Sequence, residues 1–186
     1  MPDLLHVGYL GVYQRFVAHV LWECLTDNVW HCSGGLHQQE DEGIECAVHD
    51  MQVWYEAAKV PTCDRLGQLT RAMVGARDSR EFKAKGVETG VLVGWATALC
   101  SKFKTSMKHG EHLEAAGQAL QKYMKVLKES SQIMTWESRC QLVESCLRHL
   151  CLVKESRMTL VPKHHLWIHL TLRSETQNPR VCMLLK

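Results

Sequence analysis

The sequence lacks the short motifs that mark the common catalytic and nucleotide-binding sites. It contains no GxxxxGK[ST] phosphate loop, no GxGxxG dinucleotide fingerprint, no GxSxG nucleophile elbow and no HExxH zinc motif. Its nine cysteines form no CxxC pair, so neither a zinc ribbon nor a thioredoxin-like site is indicated. Because an odd number of scattered thiols is a poor disulfide framework, we expect a reducing, intracellular location.

The sequence also has few helix breakers and no long apolar run. Only four prolines interrupt the chain, which allows long helices. No stretch reaches the roughly 18 uncharged apolar residues of a membrane span, so we expect no contact with a membrane. The first residues show no basic region followed by an apolar run, so we expect no secretory signal.

Apolar residues recur every three or four positions along most of the chain, as they do in amphipathic helices. The chain has 186 residues, of which 46% are hydrophobic and 23% charged, the composition of an ordinary globular domain. We therefore predict one all-α domain over residues 1–186, an irregular bundle of about six to seven helices. The predicted helices are 8–25, 44–60, 66–74, 82–103, 111–129, 133–153 and 162–176, with an exposed loop over 30–43 and an irregular tail over 177–186.

Three glycines, Gly86, Gly90 and Gly94, are spaced four apart within the predicted helix 82–103. Each glycine weakens a helix by up to about 1 kcal/mol relative to alanine. A face of small residues allows a neighbouring helix to approach closely, and this is one interpretation of the spacing. The other interpretation is that the segment is simply a poor helix.

Charge is distributed unevenly between the two halves of the chain. Up to Val93 there are 8 Lys and Arg against 13 Asp and Glu, and after Val93 there are 14 against 7. A basic surface attracts nucleic acid, but basic residues spread over helices without a dense run are more typical of a solvated helix face. The solvated face is the preferred interpretation, and DNA binding by the basic C-terminal half is the alternative.

Two histidines near the C-terminus are spaced for a shared helix face. If Pro162 occupies the first turn of a helix, His165 and His169 lie one turn apart. Such a pair can bind one divalent metal when a third ligand approaches from elsewhere. The preferred interpretation is that both histidines are partly buried and hydrogen-bonded to backbone or carboxylate groups, and a zinc site is the less favoured alternative.

Three separated blocks stand out in order along the chain: Pro2–Val7 continuing through Leu10-Gly11-Val12, Phe82–Glu88, and Pro162–Leu170. They resemble, in the same order, the DxxH…LG(V) segment, the K-A-x-E helix start and the PKxHxxxH helix of transposases of the En/Spm (CACTA) type and related transposon-derived proteins. The positions that carry the resemblance are Asp3, His6, Glu88, Pro162, Lys163, His165 and His169.

The resemblance implies a ribonuclease-H-like core in which acidic residues hold two magnesium or manganese ions for DNA cleavage and strand transfer. One catalytic carboxylate maps onto Asp3, which the resemblance places with His165 and His169 at a metal site. Two further carboxylates of the family have no counterpart in this sequence. We therefore expect this chain to be the helical insertion region of a transposase-like protein. We expect it to be catalytically inactive alone and to bind no cofactor of its own. It could bind DNA weakly, and its location would then be nuclear.

A different class of function remains open from the sequence. Exposed tryptophan or methionine side chains on helices can bind a protein partner or a second copy of the chain, and a large exposed apolar patch would favour such a scaffold. The two hypotheses differ in a spatial expectation. A site preserved from a transposase requires Asp3, His6, His165 and His169 to lie close together.

Overall fold

The structure, a computed structural model, describes residues 5–130 and 134–176. Within these ranges it contains helices and turns and no β-strand, so the all-α prediction is confirmed. A π-helical segment, Leu5–Tyr13, continues directly into the first α-helix. The α-helices are α1 (Gln14–Thr26), α2 (Leu36–Ala57), α3 (Gly86–Lys102), α4 (Gly110–Glu129), α5 (Trp136–Glu155) and α6 (Pro162–Thr176). None of the described helices has both the length and the apolar character needed to cross a bilayer.

Helix α1 lies at the centre of the bundle. Phe16, Val17, Leu21 and Trp22 are each at most 1% exposed, although they point to different sides of the helix. The π-helical segment, α2 and α3 pack around α1, and Phe16 also meets the ring of His149 on α5. Because these buried side chains lie on different sides of α1, several neighbouring segments must cover them, so α1 organises the core.

Helices α4 and α5 form an antiparallel pair, as the short connection between them suggests. His112 lies 3.3 Å from Glu155 at one end of the pair, and Lys122 lies 2.9 Å from Glu144 towards the other end. The start of α4 therefore lies beside the end of α5, and the two helices run in opposite directions.

Apolar spacing in the sequence of α5 predicts a buried stripe that the structure buries only in part: Trp136, Cys140, Val143, Leu147, Leu150 and Cys151. Trp136, Cys140, Leu147 and Cys151 are exposed. The buried face instead includes two polar residues together with apolar ones, and its members are Leu142, Ser145, Cys146, His149, Leu150 and Val153. Ser145 and His149 can be buried because each has a backbone carbonyl as hydrogen-bond partner.

The predicted exposed loop over residues 30–43 is wrong in its second half, because α2 begins at Leu36. Glu40, Asp41 and Glu42 lie in the second turn of this helix. Glu40 is 7% exposed and lies 2.8 Å from Arg71. This ion pair joins α2 to the connection that precedes α3.

The predicted helix over residues 66–74 is also wrong. The described backbone has only single helical turns here, at Thr62–Asp64 and Arg71–Met73. Leu66 and Leu69 are nevertheless buried, and the backbone N–H of Leu66 donates to the Tyr55 hydroxyl at 3.0 Å. The apolar residues whose spacing predicted a helix, including Leu66 and Leu69, therefore pack in an irregular connection that is held against α2.

Two glycines of α3 make room for aromatic rings. A Cβ atom at Gly90 would lie 2.8 Å from Cε1 of Tyr9, and one at Gly94 would lie 3.0 Å from Cζ2 of Trp54. The glycine spacing predicted that a neighbouring helix approaches closely, and the groups found at these two positions differ from that prediction. The approaching groups are side chains of the π-helical segment and α2, and not the backbone of a crossing helix.

Candidate functional site

The start of α6 is fastened to the π-helical segment by a lysine. At Leu10 the backbone leaves helical geometry, with φ −93° and ψ 19°. The ammonium group of Lys163 donates a hydrogen bond to the carbonyl oxygen of Leu10 at 2.6 Å. A charged donor is the strongest partner available for a carbonyl that lies at a kink. Pro162 begins α6, as predicted, and its missing N–H has no cost at that position.

The first turn of α6 is closed by a buried histidine. Nδ1 of His164 accepts a hydrogen bond from the backbone N–H of Val161 at 3.1 Å. His164 is 1% exposed, and burial lowers the pKa of its imidazole to about 4. The ring is therefore neutral at pH 7, as an imidazole that accepts a hydrogen bond at Nδ1 must be.

At the start of α3, as at the start of α6, a side chain accepts a hydrogen bond from a backbone N–H group, and here the acceptor is a carboxylate. Glu88 Oε2 accepts a hydrogen bond from the backbone N–H of Lys85 at 3.0 Å, as the third helical residue does in a capping box. Close by, Nε2 of Gln14 donates to the Ala84 carbonyl at 2.9 Å and ties this helix start to α1. Glu88 therefore has a structural role at the end of a helix.

His165 and His169 face each other on the exposed side of α6. Their rings meet edge to face with centroids 4.4 Å apart, and their Nε2 atoms are 3.1 Å apart. The expectation that they are partly buried and bonded to backbone or carboxylate groups is wrong. Helix α6 buries the positions of His164, Trp167 and Thr171, which leaves residues 165 and 169 towards solvent.

The histidine pair offers two of the ligands that a metal ion needs. Two Nε2 atoms at this separation can both reach one zinc ion at the usual Zn–N distance of about 2.0–2.1 Å. In the part of the chain that the structure describes, no group of three His, Cys, Asp or Glu side chains is arranged around one point. Asp3, the catalytic and metal-binding residue of the prediction, lies outside the described residues, as does the side chain of His6, so the expected convergence remains a prediction.

Sequence reasoning missed a buried cluster beneath α6. The ring of Trp167 packs edge-on against Tyr123 at 4.8 Å and against His149 at 5.7 Å between centroids. Nδ1 of His149 lies 3.0 Å from the Ala116 carbonyl, and burial lowers the pKa of this imidazole to about 3. The sequence contains a signal for this buried face, because His164, Trp167 and Thr171 are spaced three and four residues apart, as residues on one side of a helix are.

No family model, no curated protein and no solved structure matches this chain. Its function is therefore inferred from its own residues and their packing.

Proposed function

We propose that this chain is a helical domain of a transposase-like protein of the En/Spm type and that it does not cleave DNA by itself. The observation that supports this proposal most strongly is the packing of the three sequence blocks that carry the resemblance. The π-helical segment packs against both α6 and α3. Lys163 joins α6 to the π-helical segment by a hydrogen bond, and Gln14, at the start of α1, donates to Ala84 in the second block. If this chain shares the fold of the transposases, the three sequence blocks should pack against one another.

The divalent metal of this proposal belongs to a larger catalytic core, to which the chain contributes the carboxylate of Asp3. Magnesium and manganese prefer oxygen ligands. His165 and His169 present imidazole nitrogens, so in the proposal they lie beside the core and do not bind its metal ions. A single carboxylate cannot hold two metal ions, which is the reason for inactivity.

DNA binding is the activity that we propose for the isolated chain, through its basic C-terminal half. Six exposed cations in this half have no ion pair with a described carboxylate: Lys108, Lys128, Arg148, Lys154, Arg157 and Lys163. Other cations, such as Lys122 with Glu144, are compensated. A small number of free cations is consistent with weak binding that depends on the phosphate backbone and not on the base sequence.

The test is a titration of a fluorescent duplex with the purified chain at several salt concentrations. Contact with three phosphates predicts a loss of affinity of about 40-fold between 50 and 200 mM salt. The double variant Arg148→Gln/Lys154→Gln should bind more weakly and with a shallower salt dependence. Lys83→Gln, which removes an exposed charge from the N-terminal half, is the matched control. A flat or absent response contradicts DNA binding.

Inactivity is tested with supercoiled plasmid in the presence of Mg²⁺ or Mn²⁺. We expect no nicking. Nicking that disappears in Asp3→Asn would contradict the proposed inactivity and would place the catalytic carboxylate within this chain.

A helical scaffold for protein partners is the second candidate, because of an apolar groove between α2 and α3. The groove has a volume of about 310 Å³, and Val53, Trp54, Trp95 and Leu99 are among its lining residues. Val53 is 55% exposed. Self-association that rises with protein concentration in sedimentation, and that Val53→Glu abolishes, would support this function. A monomer at all concentrations would count against a homo-oligomer.

A further inference from the structure

Four arginines from separate parts of the chain surround one cavity of about 270 Å³. Arg15 belongs to α1, Arg77 and Arg80 belong to the connection before α3, and Arg157 follows the end of α5. We call this cavity the arginine pocket. Among the described residues that line it, Asp78 is the one carboxylate. The pocket therefore combines a concave shape with an excess of positive charge.

Arg80 is held in place by the wall of the pocket. Its NH1 group donates to Glu23 Oε1 at 2.8 Å and to His19 Nδ1 at 2.7 Å, and its Nε donates to the Arg77 carbonyl at 3.1 Å. Burial, followed by the charge of Arg80, lowers the pKa of His19 to about 3. The imidazole is consequently a neutral acceptor that helps to orient the guanidinium group, and the ion pair with Glu23 compensates part of the charge of Arg80.

Arg15 is oriented from the opposite side of the same cavity. Its NH1 group donates to the Ser79 carbonyl at 2.6 Å, and NH2 lies 3.8 Å from Glu81. Arg15 and Arg80 are only partly exposed, with 22% and 25% of their side-chain surface accessible. Guanidinium groups that are fixed before a ligand arrives lose little conformational freedom when they bind it.

The other two arginines are exposed and uncompensated. Arg77 has a single long hydrogen bond, 3.4 Å to the Thr26 hydroxyl. The side chain of Arg157 has neither a hydrogen bond nor an ion pair with any residue that the structure describes. Positive groups around one cavity raise the electrostatic potential within it, and an anion in the cavity would relieve their mutual repulsion.

The backbone is unusual at two of the four arginines. The φ angles are +23° at Arg80 and +61° at Arg157, in a region that residues with a β-carbon seldom occupy. Such conformations are strained and recur where a side chain is needed in a particular place. Both angles are found in the turns that bring these arginines to the cavity.

We propose that the arginine pocket binds the phosphate group of a phosphate monoester. The forked N–H donors of arginine match phosphate oxygens and bind them in pairs. A cavity of about 270 Å³ is slightly smaller than the usual range for small-molecule sites, roughly 300–1,000 Å³, and suits a phosphoryl group with part of its ester. The phosphate can belong to a free small molecule or to the 5′ end of a nucleic acid strand. The proposal does not depend on DNA binding by α4 and α5.

The test measures binding of inorganic pyrophosphate to the full chain by calorimetry, together with two single-stranded oligonucleotides that differ only in a 5′-phosphate. Pyrophosphate should bind, and Arg77→Gln and Arg157→Asn should each weaken it about tenfold or more, since a hydrogen bond to a charged group contributes about 1.5–3 kcal/mol. Asparagine is chosen at residue 157 because it tolerates a positive φ. Lys83→Gln, which removes an exposed positive charge outside the pocket and outside the C-terminal half, is the matched control and should leave binding unchanged.

The two oligonucleotides identify the source of the phosphate. Tighter binding of the phosphorylated strand, lost in Arg157→Asn, would indicate a nucleic acid end. Pyrophosphate binding without a difference between the strands would indicate a free small molecule. No binding of pyrophosphate or of the phosphorylated strand at millimolar concentration overturns the proposal, as does binding that both pocket variants leave unchanged. Loss of duplex binding alone would contradict only the function proposed for α4 and α5.

Discussion

The ammonium group of Lys163 and the carbonyl oxygen of Leu10 are 2.6 Å apart although 153 residues separate them in the sequence. Lys163 lies in the first turn of α6, and Leu10 lies at the interruption of the π-helical segment. The contact gives a physical reason for a lysine after Pro162. It also joins two of the three blocks that resemble transposase segments.

Removal of this lysine should destabilise the fold. Lys163→Met keeps most of the aliphatic stem but loses the donor. Hydrogen bonds to charged groups contribute about 1.5–3 kcal/mol, and because this one is exposed we expect a loss of about 1.5 kcal/mol in the free energy of unfolding. Urea denaturation measures the change. Lys154→Met, a change at an exposed lysine of α5, is the matched control. Equal stability of the two variants would contradict a structural role for Lys163.

Acid should destabilise the protein before its carboxylates are protonated. The pKa values of His19 and His149 are lowered to about 3 and that of His164 to about 4, mainly by burial. An unfolded histidine has a pKa of about 6.5, so the unfolded chain binds more protons than the folded chain below that pH. Stability contributed by the neutral imidazoles is thus complete above pH 6.5 and is lost as the pH falls towards 4.

The expected slope is up to about 1.4 kcal/mol per pH unit for each of these histidines. Urea denaturation between pH 7.5 and 5 measures this slope. The variant His149→Gln should lose the part of the slope that His149 contributes. A wild-type stability that stays constant over this range would contradict the neutral, buried state of the three imidazoles.

Zinc should not accompany the purified protein in stoichiometric amount. His165 and His169 provide two nitrogen ligands on the exposed face of α6, whereas structural and catalytic zinc sites use at least three protein ligands. Elemental analysis after purification without chelators measures the content. One zinc per chain that disappears in His169→Ala would establish the metal site that the sequence left as an alternative.

The sequence predicts α6 from Pro162 to Thr176 as the structure has it, because a proline start and a regular apolar spacing both mark this helix. The sequence was less informative about which side of a helix is buried. On α5 the buried side includes His149 and Ser145, which require partners from elsewhere in the fold. Such partners, for example the Ala116 carbonyl, can be found only when α4 and α5 are placed together.

The candidate sites, too, could be predicted from the sequence only in part. The spacing of His165 and His169 correctly predicts that they meet, but not that α6 turns them outward. The arginine pocket is invisible to a search by spacing, since Arg15 and Arg157 come from opposite ends of the described chain. Residues 77–80 look like an ordinary polar break in the sequence. Their charge matters because the fold places them opposite α1.

The burial of the apolar side chains of α1 has a consequence for the way the protein is made. The helices that cover it, α2 and α3, follow it in the sequence. At a synthesis rate of about 5–20 residues per second, α1 waits about 4–15 s before α3 is complete. During that time the nascent chain presents an apolar helix that includes Phe16, Leu21 and Trp22. Recovery of folded protein should therefore depend on chaperones that hold apolar segments on the ribosome.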